Sequence, residues 1–137
     1  MRFEIFHKDL NTRARLGRII SSRGTVYTPA FFPVGTSGVV KTLSSRDLNE
    51  CGVQGLLCNS YHLFLRPGIP LIKEVGGLHH FMDWPGLIIT DSGGYQIFSL
   101  SLFKEIDDLG VRFQSPIDGD RFFLTPEKVI KLSLIHI

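Results

Sequence analysis

Cysteine is scarce: Cys51 and Cys58 are the only two in 137 residues. They make no disulfide framework and no C-x-x-C metal knuckle, so an intracellular, reducing location is the default. Charge of one sign is also scarce, with a net charge of +2. That balance neither demands a polyanionic partner nor excludes one. No apolar run approaches the roughly 20 residues that a membrane span needs, so no membrane partner is expected. After Met1, "RFEIFHKDL" lacks the apolar stretch of a signal peptide. Repeats, linkers and low-complexity segments are absent too. What remains is an ordinary globular composition, 43% hydrophobic and 20% charged.

The pattern along the chain alternates strands and helices. Phe3 to Phe6 reads as a strand. Leu16 to Ser21 and Thr25 to Thr28 flank the turn signal "SSRG", which predicts a hairpin. Pro29 and Pro33 stiffen an extended entry. Ser44 or Ser45 caps a short helix through Leu48 and Glu50, closed by Gly52. "VQGLLCN" is a buried strand ending at Asn59, and "SYHLFLRPG" follows it. Pro70 to Val75 is a helix closed by Gly76-Gly77. "LHHFMDWPG" reads as a short aromatic connection, and Leu87 to Thr90 as a second buried strand. Val111 to Ser115 and Arg121 to Leu124 flank "PIDGD", whose Asp118-Gly119 is a hairpin signal. Thr125, Pro126 and Glu127 start a helix. "GLLCN" and "LIIT" are apolar on both faces, which suits a parallel sheet or barrel covered by helices.

The stretch with most chemical content is "LIITDSGGYQIF". In a parallel α/β barrel the residues just past the carboxyl ends of the strands line the active site, and Asp91 follows "LIIT" directly. An ionised carboxylate accepts through two oxygens. A guanine-like base offers two adjacent donors, N1–H and the exocyclic N2–H, which one carboxylate can take together. Gly93 and Gly94 let a ligand approach the backbone, and Tyr95 offers a face for stacking. The plainer reading is that D-S-G-G is a turn with a helix N-cap. Asn59 ends the other buried strand on the same rim, either as a ligand contact or as the cap of "SYHLFL". His62 in that segment reads as packed and hydrogen-bonded, and His79-His80 as a loop or short-helix surface with no metal partner. One arrangement would collapse the base-binding reading: Asp91 oxygens turned inward onto neighbouring amides, with no cavity beside them.

The last residues break the pattern. Leu132, Leu134, Ile135 and Ile137 do not continue a one-sided helical stripe. One reverse translation of 132–137, CTG TCT CTT ATA CAC ATC, is the transposon-end sequence used in common DNA sequencing adapters. The expectation is a native segment 1–131 followed by a translated adapter, 132–137; the alternative is a genuine short tail. The coding DNA distinguishes the two.

"PAFFPVGTSGVVKTL", "CNSYHLFLRPG", "GGLHHFMDWPGLIITDSGGYQIFSL" and "VRFQSPIDGDRFFLTPE" stand in the order found in tRNA-guanine transglycosylases. The chain resembles that family from Thr12 to Lys131. Its members are pentosyltransferases of queuosine biosynthesis that exchange an anticodon guanine of tRNA for a 7-deazaguanine such as preQ1 or queuine. The resemblance implies an α/β fold: the N-terminal part of a (β/α)8 TIM barrel, preceded by an antiparallel hairpin layer and carrying an inserted β-hairpin. It implies that Asp91 is the catalytic proton acceptor and binds the base, with Ser92, Gly93, Gly94 and Tyr95 at base-binding positions. Asn59 maps onto a pocket residue that supports the carboxylate. Gly94 matches the bacterial and eukaryotic anticodon enzymes, since archaeal relatives tend to carry Ser there. Pro116 stands where many relatives have His, which bears on the local hairpin only.

The same resemblance implies what lies elsewhere. The family's nucleophilic Asp and its structural zinc site, a C-x-C-x-x-C plus His, belong beyond residue 131, so Cys51 and Cys58 read as packing residues. About three of eight barrel strands are expected here, against the roughly 250 residues of a usual barrel. Such a piece exposes a strand edge and half a core, so it is expected to be inactive and aggregation-prone alone. The implied partners are tRNA, guanine or a 7-deazaguanine, and a second subunit, identical or, in a eukaryotic enzyme, different. The implied location is cytoplasmic. Two other functions compete: a non-catalytic partner subunit, against which D-S-G-G-Y argues, and a purine-binding domain without chemistry.

Overall fold

The computed structural model describes residues 1–101 and 103–134. It is a mixed α/β structure of three small sheets and six helices among the described residues. β1 (Arg2–Lys8), β2 (Arg15–Ser21) and β3 (Gly24–Thr28) form an antiparallel sheet in that order. The "SSRG" turn closes with Ser21 opposite Gly24, as the hairpin signal predicted.

The chain then enters a parallel sheet. β4 is a two-residue strand, Val34–Gly35, that the two prolines concealed in the sequence. It pairs with β5 (Gly55–Asn59), which pairs with β6 (Leu87–Asp91). α1 (Ser45–Glu50) separates β4 from β5, and Ser44 and Asp47 close a reciprocal capping box at its start. α2 (Ser60–Leu65), α3 (Ile69–Glu74) and α4 (Leu78–Met82) make the crossover to β6. The aromatic connection expected over "LHHFMDWPG" is thus corrected to a helix over its first half. Leu78, Met82 and Trp84 are buried there, and that packing stabilises a helix too short to persist by propensity. Trp84 also donates its indole N–H to the Leu87 carbonyl, 3.3 Å away.

Strand alternation sorts the side chains of the parallel pair. Leu56, Cys58 and Ile88 pack with Leu48, Leu63 and Ile72 under the helices. Asn59 and Asp91 stand on the other face, beside each other in register. Fully burying a Leu or Ile in such a cluster contributes about 1.5–3 kcal/mol.

The inserted hairpin is larger than the sequence suggested. β7 (Lys104–Asp107) joins β8 (Gly110–Gln114) and β9 (Arg121–Leu124) in an antiparallel sheet of three. Every residue of β7 is exposed, so it carried no apolar pattern to read. α5 (Gly94–Leu100) precedes this sheet and α6 (Pro126–Leu134) follows it. Thr125 caps α6, its hydroxyl accepting from the Lys128 N–H at 3.3 Å. α6 runs on to Leu134, past Lys131, where the sequence pattern faltered; residues 135–137 of the expected adapter tail lie outside the described residues. No described helix is long and apolar enough to cross a membrane.

Candidate functional site

Two polar residues end two parallel strands, β5 buried and β6 mostly half-buried, and the register puts them together. Asn59 closes β5 and Asp91 is the last residue of β6, one position earlier than the loop expected for it. The Asn59 amide N–H donates to Asp91 Oδ2 at 2.6 Å. Asn59 is 3% exposed, so this is a buried polar group with its partner present. Its other side-chain atom accepts from the His62 N–H at 3.3 Å, which caps α2. The two roles set against each other for Asn59 are therefore filled at once.

The D-S-G-G turn wraps around the same carboxylate. Asp91 Oδ1 accepts from the Gly93 N–H at 3.1 Å and from the Ser60 N–H at 3.2 Å. The Ser60 hydroxyl donates to the Asp91 backbone carbonyl at 2.5 Å. α5 begins without a side-chain cap: Gly93 holds its N-cap position at φ 70°, ψ 7°. A Cβ there would fall 2.6 Å from Tyr61 Cβ and 2.7 Å from Tyr61 N. Both the left-handed backbone and the close approach require glycine. The plainer N-cap reading survives only in part, as a 3.4 Å contact from the Gly94 N–H to Ser92 Oγ.

Tyr61 holds the turn from behind. Its ring lies 5.6 Å from that of Phe113, and Phe64 meets Phe122 edge-on at 5.0 Å. Through these contacts the antiparallel β7–β9 sheet braces α2, and α2 braces Gly93. Tyr95, by contrast, is 76% exposed on the first turn of α5, with its ring faces open to solvent. A cavity of about 400 Å³ adjoins the loop, lined by Ser92 and Gly94, by apolar side chains of α5, the β7–β9 sheet and α6, and by Asp107 and Asp108.

Asp91 thus meets the first half of the adverse arrangement, since its oxygens are drawn onto neighbouring amides. The second half is met in part: the cavity that borders the same loop is lined by Ser92 and Gly94 but not by Asp91, while Asp91 is itself only half-buried and so stays open to an approaching donor. A carboxylate offers about four acceptor positions, and three donors from the chain occupy it. The arrangement holds the group in one orientation and leaves it an acceptor position for a further donor.

Burial and the Asp91 charge shape the neighbours. The Cys58 thiol is pushed up to about 12, first by burial and then by the nearby carboxylate, so it is an inert packing group against Met82. His62 is held below the ordinary imidazole value by burial, which the Asp91 charge opposes. It packs edge-on against Tyr61, as the packed reading of His62 anticipated. His79 and His80 lie on α4; His80 is on the short-helix surface expected of it, whereas His79 is half-buried with its Nε2 3.1 Å from the Gly86 carbonyl oxygen. Zinc does not fit the residues present. Among the described residues no group of three or more His, Cys, Asp or Glu is placed to hold a metal. Ser60 and Tyr61 escaped the sequence reading; their only signal was position, directly after a polar residue that ends a buried strand.

Residues 9–134 match the family described as Queuine tRNA-ribosyltransferase. A Queuine tRNA-ribosyltransferase of Methylacidiphilum infernorum is 55% identical over 130 residues, which cover 95% of this chain and 34% of that protein. Those of Desulforudis audaxviator and Dictyoglomus turgidum are each 52% identical, over 128 and 132 residues. They too are covered for 34% of their length, so the chain spans about a third of these relatives. With residues 9–134 matching that family and relatives at half identity or more, the chain belongs to the queuine tRNA-ribosyltransferase family.

Proposed function

We propose that the chain is the N-terminal third of a tRNA-guanine transglycosylase. The whole enzyme exchanges an anticodon guanine for a 7-deazaguanine, preQ1 or queuine, on a (β/α)8 barrel in the cytoplasm, as one subunit of a dimer. The observation that carries this reading is the in-register pair Asn59 and Asp91 at the carboxyl ends of β5 and β6, where barrels of this kind place their chemistry.

Base exchange with retention at the ribose C1′ needs two displacements. A carboxylate attacks C1′ while the bond from C1′ to the guanine nitrogen breaks; the guanine leaves with the bonding pair and takes up a proton from water, and a covalent ribosyl-enzyme remains. The incoming base then loses the proton of its ring nitrogen, attacks C1′ and releases the carboxylate. Asp91 takes up that proton and accepts the base's donors, Asn59 holds Asp91 in register, and Tyr95 covers the base face. Ser92, Gly93 and Gly94 form the loop along which the base lies. The target base leaves its stack to reach the site. The nucleophile and the zinc ligands belong to the segment after residue 131.

The test is Asp91→Asn in the full-length enzyme, read as incorporation of labelled guanine into tRNA. An amide cannot take up the proton, so the rate falls by about 10²–10⁴-fold. Full activity in this variant removes Asp91 from the mechanism.

A further inference from the structure

Ser60 makes two bonds to one residue, and both reach across the chain to the end of β6. Its N–H donates to Asp91 Oδ1 at 3.2 Å, and its hydroxyl donates to the Asp91 carbonyl oxygen at 2.5 Å. The side chain and the backbone of Asp91 are therefore held by the same residue. Ser60 is 3% exposed and lies directly after β5 in the first position of α2. Packing fixes that position from both sides, since Asn59 ends the strand before it and Tyr61 is clamped on Phe113 after it.

We infer that Ser60 is a positioning residue for base exchange, acting through Asp91; the inference rests on the function proposed above. The hydroxyl bond pins the peptide that joins Asp91 to Ser92. A trans peptide is planar, so its C=O and N–H point in opposite directions. With the Asp91 carbonyl drawn to Ser60, the Ser92 N–H is turned to the side away from α2. The backbone N–H of Ser60 thus holds the carboxylate, while its buried hydroxyl fixes the main chain that carries that carboxylate and the direction in which the D-S-G-G backbone presents its donors. Asn59 alone cannot do this, because its bond reaches only Oδ2. A functional group held by such supporting bonds is worth far more than one present but loose.

The experiment compares Ser60→Ala and Ser60→Cys with the unchanged full-length enzyme. Both are measured for guanine incorporation into tRNA, with KM for tRNA and kcat/KM for the base determined separately. Misplacing a catalytic group by about an ångström costs roughly 10²-fold, so kcat/KM for the base falls about ten- to hundred-fold in Ser60→Ala, while KM for tRNA stays within about twofold. Ser60→Cys, a weak donor of similar size, loses at least about fivefold and decides the matter if the alanine variant does not fold. A purely structural Ser60 lowers the melting temperature and leaves both constants intact; that outcome overturns the inference, as does full activity in Ser60→Cys. Asp91→Asn run alongside separates the two readings. An inactive Asp91→Asn with an unimpaired Ser60→Ala removes only Ser60, whereas an active Asp91→Asn removes the proposed function itself.

Discussion

The parallel pair β5–β6 and the antiparallel sheet β1–β3 treat charge in opposite ways. In β5 and β6 every residue before the last is uncharged, and the polar groups Asn59 and Asp91 appear only at the carboxyl ends. In β1 and β2 charge sits mid-strand: Glu4 faces Arg18 across the sheet at 2.7 Å and is also met by Arg2. The Arg18 guanidinium holds the Glu4 carboxyl below its usual range, yet water reaches both groups. The difference teaches where to look for chemistry. A mid-strand pair on an open sheet is a solvated surface, whereas a carboxylate at the end of a covered strand, gripped by three donors, is a placed group.

The comparison breaks first at activity. If it is right, Asp91→Asn loses about 10²–10⁴-fold in guanine incorporation and Glu4→Gln loses none. Comparable losses in both would erase the distinction. Next comes the layer beneath the site. Leu56 is fully buried against the crossover helices, so Leu56→Ala in the full-length protein lowers stability by about 2–5 kcal/mol in urea unfolding. A smaller loss would mean that β5 is not the packed floor described.

Gly93→Ala is the next step down. Left-handed backbone costs about 1 kcal/mol for alanine and the clash with Tyr61 about 1–3 more, so a loss of roughly 2–4 kcal/mol is expected. Activity should fall with it, because the turn also supplies a donor to Asp91. His62 gives a smaller, pH-dependent effect. Its folded value is depressed by burial, so the unfolded chain binds the proton more readily. The stability it contributes is complete above about pH 6.5 and is lost as pH falls through the depressed folded value. Urea midpoints at about pH 7.5 and about pH 5.5 should converge in His62→Gln relative to the unchanged protein. Equal slopes in the two proteins would mean that burial does not hold His62 neutral. The smallest effect is on the open sheet, where Glu4→Gln leaves the melting temperature within its scatter.

Much of this was legible from residues alone. "GLLCN" and "LIIT" announced covered strands because both faces are apolar. Ser44, Thr125 and the "SSRG" turn announced boundaries because caps and turns are local hydrogen-bond problems. β7 was not legible, since "KEID" is polar at nearly every position and pairs only because β8 offers its edge. α4 was not legible as a helix over its length, and α5 only as the helix start in the plainer reading of D-S-G-G: each is short and begins at or just after glycine, and their stability comes from buried Leu78, Met82 and Ile97 rather than from propensity.

By itself the sequence determined that a carboxylate and two glycines terminate an apolar strand, and that the long motifs around them match one family. Those are properties of neighbours in the chain, set by local sterics and by residue identity. Which donors reach Asp91 was decided only when β6 paired with β5, because Asn59 and Ser60 lie 32 and 31 positions away along the chain. No local rule specifies that register; the burial of Leu56, Cys58 and Ile88 on one face does, and it leaves the polar ends to meet on the other.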